Sequence, residues 1–252
     1  AGYDTLRNLG TGDIYINAAT SLTSIEEIDA NNARLRIEGG QTLDLSGYTL
    51  TDISVLYASN ANDIITGNAA DNTFRGVGGT DILNGGDGND TFQVSGAEGR
   101  NGTYNGGNGT DVIRNVGTGD FYFNAGSSFS SIEEIDGNGA RLRFDNPVTI
   151  DLSSYTLTNI SVILGSNSAD TITANAADKT IRGWGVNDVI NGGNGSDTFR
   201  IYSTEGRKDT FNGGNRTYKI KKNHTSTSKH VKNTTVYNGR QNITPITLHN
   251  LM

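Results

Sequence analysis

Asp63, Asn72, Asp81 and Asp90 stand nine residues apart, and each is followed two positions later by an apolar residue: Ile65, Phe74, Leu83 and Phe92. Asp170, Lys179, Asp188 and Asp197 repeat the frame ahead of Ile172, Ile181, Ile190 and Phe199. The acids and the amide offer oxygen. The chain has no cysteine, and its three histidines (His224, His230, His249) sit together in a basic C-terminal stretch without acids, so neither a thiolate site nor a zinc site is indicated. Carboxylates stacked without basic residues between them repel one another, and a hard cation relieves that repulsion. Calcium accepts about 6–8 oxygens and mixes carboxylates with backbone carbonyls, whereas magnesium prefers a smaller shell with retained water. The pattern therefore predicts calcium.

Glycines fill the space between the acids: Gly76, Gly78, Gly85 and Gly88 in the first series, Gly183, Gly185, Gly192 and Gly195 in the second. In "LNGGDGNDTFQV" (83–94) the first six residues favour neither helix nor strand. Glycine takes up positive φ at little cost, so these positions are expected to aim turn carbonyls at the carboxylates. Six residues of turn and three of strand make one nonapeptide, and two nonapeptides close a coil. Successive turns on one edge then stack at about 4.8 Å. That geometry sets Asp63 over Asp81 and Asp170 over Asp188 as the best carboxylate pairs. Asn72 with Asp90 keeps its oxygens and loses one charge. Lys179 opposite Asp197 departs from the pattern, and its ammonium is expected to abolish that site. Asp111, in "GGNGTDVIR" (106–114), can pair with Asp90 only if the spacer at 94–105 loops out; its counterpart in the second series is Tyr218.

These series belong to a longer duplication. "RNLGTGD" at 7–13 returns as "RNVGTGD" at 114–120, an offset of 114 − 7 = 107. Aligning 4–108 with 111–215 at that offset gives 62 identities in 105 positions without a gap, so the body is two copies of one unit. Nonapeptides occupy 58–93 and 165–200. Upstream of them, Ile16, Ile25, Leu35, Leu45, Val55 and Ile65 recur every nine or ten residues inside short alternating runs, which read as strands buried on one face. So short a step suits half a coil of a solenoid. The predicted fold is all-β: a right-handed parallel β-roll or β-helix solenoid of two tandem 107-residue units, with a non-solenoid basic C-terminal tail. The expected divisions are 1–110, 111–215 and 216–252.

The net charge of −7 conceals an uneven distribution. Residues 1–215 hold all 27 acids against 13 basic residues, whereas 216–252 hold 7 basic residues and no acid. The tail lacks the solenoid beat beyond its first residues and is expected to be disordered or foreign. An acidic body speaks against nucleic acid, and no apolar run is long enough for membrane insertion. "EE" at 26–27 and 133–134 reads as solvated strand, because adjacent strand residues face opposite ways. "ARLR" at 33–36 and 140–143 is expected to form salt bridges with a neighbouring acidic rung.

"GGDGNDTFQ", "GGNGTDVIR" and "GGNGSDTFR" each match G-G-x-G-x-D-x-U-x, and on these motifs the chain resembles the RTX, or hemolysin-type, calcium-binding nonapeptide family. The resemblance implies Ca2+ as ligand and a bacterial protein secreted to the medium or cell surface, folding outside the cell as calcium binds. Two classes of function remain open. One is a structural or adhesive repeat region, not an enzyme, with calcium, surface polysaccharide or further copies of itself as partners. The other is an accessory secretion and folding module of an extracellular protease, lipase or polysaccharide epimerase. Neither "HExxH" nor "GxSxG" occurs, so a catalytic domain would lie outside this chain. A polysaccharide-acting β-helix is disfavoured, since an active cleft is normally kept in one copy and both copies here carry similar charges.

Overall fold

The computed structural model describes residues 2–202, 209–214, 218–223 and 233–237. Among them there is no α-helix, only a single 3-10 turn at Gly96–Gly99 between short strands. Among the described residues no helix is long and apolar enough to cross a membrane. The chain forms two compact units: Ala1–Thr118 with Gly126–Asp136, and Gly119–Ala125 with Gly137–Met252.

The first unit is a parallel β-solenoid. One sheet stacks Thr42–Asp44, Ile64–Thr66, Ile82–Asp87, Thr103–Asn108 and Ser128–Ser130 in that order. A second contains Ile14–Ile16, Arg34–Ile37, Val55–Tyr57, Thr73–Arg75, Thr91–Val94, Val112–Asn115 and Glu134–Asp136. Every nonapeptide contributes one strand to one of these sheets, and the next nonapeptide crosses to the other. Register confirms the eighteen-residue coil: Ile64 pairs with Ile82 and Leu56 with Phe74, each 18 residues on.

Upstream the coil is larger than a nine- or ten-residue half-coil implies. Thr5 pairs with Glu27 and Glu27 with Thr49, both offsets of 22, while Arg34 pairs with Val55 at 21. A third short sheet, Thr5–Arg7, Glu27–Asp29 and Thr49–Thr51, takes up the difference. Ile28 and Leu56 accordingly fill the core, whereas Ile25 and Val55 are only half-buried. Alternating runs are too short to reveal which member of each faces inward, so the anchors at Ile25 and Val55 fall one to three residues from the core positions, while Ile16, Leu35, Leu45 and Ile65 are buried as expected.

The second unit repeats this plan. Its sheets stack Phe121–Phe123, Arg141–Phe144, Val162–Leu164, Thr180–Arg182, Thr198–Tyr202 and Tyr218–Asn223 on one side, and Thr149–Asp151, Thr171–Thr173, Val189–Asn191 and Thr210–Asn212 on the other. The tail departs from expectation at its start, because Tyr218–Asn223 adds a parallel strand in register with Thr198–Tyr202. Asn233–Tyr237 then pairs with it antiparallel, off the solenoid pattern. The expectation of a disordered or foreign tail otherwise falls on 216–217, 224–232 and 238–252, outside the described residues, as do all three histidines.

The eighth residue of each nonapeptide supplies the core. Ile65, Phe74, Leu83 and Phe92 are buried, as are Ile172, Ile181, Ile190 and Phe199. Phe74 stacks on Phe92 with ring centroids 5.2 Å apart, an offset pairing that adds to the ~1.5–3 kcal/mol of burying each such side chain. The glycine-rich start of "LNGGDGNDTFQV" is itself strand, since Ile82–Asp87 runs through Gly85 and Gly86. Gly86 lies directly against Gly107 of the next coil, and backbone pairing between coils overrides low propensity where no side chain stands in the way.

Candidate metal centre

Each coil turns twice, and the acids lie where a turn re-enters a strand. Along one edge of the first unit stand Asp63 and Asp81; along the other stand Asn72, Asp90, Asp111 and Glu133. Asp63, Asp81, Asp90 and Asp111 are buried. Their carboxylates do not simply face one another. One oxygen of each accepts the backbone N–H of the equivalent residue one coil earlier: Gln41 to Asp63 Oδ1 at 2.9 Å, Asp63 to Asp81 Oδ1 at 3.0 Å, Asn72 to Asp90 Oδ1 and Asp90 to Asp111 Oδ1 at 2.7 Å. The last link forms without the spacer looping out as expected: the spacer supplies the intervening strand, pairing Thr103–Asn105 with Ile82–Asn84, and takes up its extra length in the Gly96–Gly99 turn, while Thr91 pairs directly with Val112.

In the second unit Val148 N–H donates to Asp170 Oδ1, Asp170 to Asp188 Oδ1 and Asp188 to Asp209 Oδ1, at 2.8, 2.9 and 2.9 Å. On the opposite edge Lys179 N–H donates to Asp197 Oδ1 at 3.0 Å. Tyr218, buried, follows Asp197 on this edge, and a Cβ on Gly213 would meet its ring. Asp111 bears the same relation to Gly106, where a Cβ would meet the carboxylate.

The second carboxylate oxygen distinguishes the positions. Asp63 Oδ2 accepts Ser59 N–H at 2.9 Å and Ser59 Oγ at 2.7 Å. Asp170 Oδ2 is held likewise by Ser166 N–H at 2.6 Å and its hydroxyl at 3.0 Å. By contrast Asp90 Oδ2, Asp111 Oδ2 and Asp197 Oδ2 are buried with no hydrogen-bond partner. A buried polar atom left alone costs about 1–3 kcal/mol, more when charged. Burial raises the carboxyl of Asp81 to about 7 and that of Asp90 to about 7, with the charge of Asp63 adding at the first and of Asp111 at the second. Asp197 is pushed up to about 6, again chiefly by burial. Asp111 moves the same way, through burial and then the neighbouring charge of Glu133. Lys179 shifts down, because burial disfavours its ammonium.

Glycine serves these oxygens mainly by having no Cβ. A Cβ on Gly85 would meet both Asp90 Oδ2 and Gly106 O; one on Gly106 would meet Asp111 Oδ2 and Ser131 O. Gly76, Gly183 and Gly192 face Asp81 Oδ2, Asp188 Oδ2 and Asp197 Oδ2 in the same manner. Gly185 and Gly195 lie against backbone of the preceding coil at 167–168 and 177–178, and Gly78 beside Asn60. Positive φ, expected at all eight glycines, occurs only at Gly88; Gly86 carries it at +113° beside Gly85. Positive φ falls at the second position of the nonapeptides that start at 76, 85, 183 and 192 and at the fourth of those from 76 and 85, while the first must stay bare against the carboxylate. Val77 and Trp184 occupy second positions at φ of 72° and 79°, a conformation that bulky side chains rarely adopt.

Among the described residues no three His, Cys, Asp or Glu side chains gather about one point. A cation held here would use one or two carboxylates completed by backbone carbonyls. The residues fit that demand, with orphaned carboxylate oxygens and turn carbonyls converging on bare glycine faces. All-oxygen donors of mixed type suit calcium.

Asp209 and Glu133 lie outside the nonapeptide frame, and the two serines lie inside it as the second residues of the nonapeptides at 58 and 165. Asp209 could have been found from "DTF" at 209–211, which repeats "DTF" at 90–92 and 197–199. Ser59 and Ser166 carry no signal beyond standing four residues before an aspartate. The expected arginine pairs form: Arg34 reaches Asp13 at 2.8 Å and Arg141 reaches Asp120 at 2.6 Å.

The RTX calcium-binding nonapeptide repeat, in four copies, matches residues 57–92 and 163–199. No curated protein matches the chain. The match covers those two segments, and RTX calcium-binding repeats within β-solenoid coils imply Ca2+ binding and suggest a calcium-binding repeat region.

Proposed function

We propose that this region is a calcium-set structural element of a secreted or cell-surface bacterial protein, with a structural or adhesive role, folding as calcium binds outside the cell. The observation that carries the reading is the set of three buried, unpartnered carboxylate oxygens on Asp90, Asp111 and Asp197, each against a bare glycine. Without a cation these groups oppose folding, and with one they become ligands, so metal binding is also folding energy. Asp63, Asp81, Asn72, Asp90 and Asp111 in the first unit, and Asp170, Asp188 and Asp197 in the second, would hold calcium together with turn carbonyls. Extracellular calcium modules bind at about 10⁻⁴–10⁻³ M, which would leave the chain loose in a calcium-poor compartment. Two copies of one unit, identical at 62 of 105 aligned positions, support a role in building length rather than an active site.

Far-UV circular dichroism of the full chain during a calcium titration, with magnesium as control, tests this. A disordered spectrum in chelator that becomes β-rich near millimolar calcium, with little response to magnesium, is expected. A β-rich spectrum in chelator that calcium leaves unchanged would refute it.

A further inference from the structure

The matched repeats end at residue 92 in the first unit, yet the carboxylate column does not. Asp90 hands on to Asp111, and Asp111 N–H donates to Glu133 Oε2 at 2.7 Å. Glu133 belongs to the "SIEEID" run, which resembles no nonapeptide and reads from sequence as solvated strand. In the fold it follows Asp111 in the column as Asp111 follows Asp90. Strand register carries it there, since Val112 pairs with Glu134 and Ile113 with Ile135.

We infer that Asp111, Glu133 and the carbonyl of Ser131 form a further site for a hard divalent cation, calcium above all, outside the recognised repeats. Resting on the calcium reading above, it adds a ligand type that the nonapeptide lacks. Asp111 is fully buried, and its Oδ2 has no partner. That oxygen and Ser131 O both lie where a Cβ on Gly106 would stand. Ser131 sits at φ 50°, in the left-handed region, and Ser131 O is the counterpart of Gly106 O beside Gly85. Glu133 is exposed, so its free carboxylate oxygen and water can complete the shell from the solvent side. Such a site is open where those between nonapeptide coils are enclosed.

The first copy supplies an internal control. Asp4 N–H donates to Glu26 Oε2 at 2.8 Å, repeating the Asp111–Glu133 link 107 residues earlier. Asp4 is exposed, and no orphaned oxygen marks that position.

Equilibrium dialysis of the full chain against radioactive calcium, together with circular dichroism at saturating calcium, decides the matter. Glu133→Gln keeps an oxygen to accept Asp111 N–H and removes the charge. It should reach the wild-type β spectrum while binding one calcium fewer, and Glu133→Asp should recover part of that loss. Glu26→Gln should keep the full count. An unchanged count in Glu133→Gln, or its failure to reach the wild-type spectrum in saturating calcium, would overturn the inference. Absence of calcium binding by the wild type would instead overturn the reading on which it rests.

Discussion

The two units began as copies and lengthened opposite edges. In the first, the column Asn72–Asp90–Asp111–Glu133 extends beyond its nonapeptides, while the other edge has Gly102 where the next acid would fall. In the second, Val148–Asp170–Asp188–Asp209 extends, because Asp209 replaces the glycine, while on the opposite edge Lys179 displaces the amide of Asn72 and Tyr218 the acid of Asp111. Three exchanges at matched positions thus move the longer carboxylate ladder from one side of the coil to the other. Architecture tolerates the exchange since strand pairing and the apolar column are the same in both. Cation demand is therefore set by a few turn residues, independently of the solenoid that carries them.

The severest way to break the comparison is to fill a cradle. Gly85→Ala should cost at least about 1–3 kcal/mol, because its methyl meets Asp90 Oδ2 and Gly106 O and the backbone must shift. Gly12→Ala, with nothing within 4 Å of the new methyl, should change urea stability by less than about 1 kcal/mol. Comparable losses for both would remove the close-packing role assigned to the first glycine of each turn.

Next in size, Asp111→Ala takes away an acceptor and strands the Asp90 N–H, at a cost of about 1–3 kcal/mol beyond the loss of its calcium ligand. Asp209→Ala should do the same to Asp188 in the second unit. The matching Asn variants keep an oxygen for the N–H and lose only the charge, so urea unfolding of the Ala and Asn variants at saturating calcium separates the two losses. Equal stability of the Ala and Asn variants would mean the N–H caps contribute nothing.

Acidity sharpens the contrast between metal-free and loaded states. Asp81 and Asp90 lie near 7 and Asp197 near 6 when no ion is present, all above the ordinary carboxylate value of about 3.9. Groups raised in the folded state stabilise it below their unfolded value and lose that contribution as pH rises through the folded one. In chelator the chain should therefore lose what β structure it keeps as pH rises from about 5 to about 8, and the increment from calcium should grow over the same range. A far-UV β signal in chelator that rises instead of falling over that range would contradict the assignment.

The smallest effect concerns Lys179. Lys179→Asn reproduces the Asn72 of the first unit and removes the ammonium of Lys179 beside Asp197. Calcium affinity should rise a few-fold, with one more ion bound. An unchanged count would mean that Tyr218, one coil further on, already closes that edge.

Much of this was legible in the residues. Nine-residue spacing located the buried column from Ile65 to Phe92 and the acids ahead of it, since an apolar residue at a fixed offset from a turn has one place to go. The three-stranded coils upstream were not legible, because a 21- or 22-residue circuit and two nine- or ten-residue steps leave similar marks on short alternating strands. Nor could spacing foresee that each carboxylate would be shared between an amide and the site, as the amide lies a full coil away. Glu133 escaped for the same reason: its partner is set by stacking, not by any motif.

The amide caps also give the stack an arrow. Along the carboxylate columns each N–H capped from a neighbouring coil belongs to the earlier coil and its carboxylate to the later one. Outside the columns Asp71 and Asp178 reverse this, accepting Asn89 and Ser196 N–H from the later coil at 2.7 Å. Within the columns, a coil added on the N-terminal side brings its amides to acceptors already fixed in place, and one added on the C-terminal side must swing its carboxylate onto waiting amides. The columns thus favour growth toward the N-terminal end, and the caps at Asp71 and Asp178 oppose it.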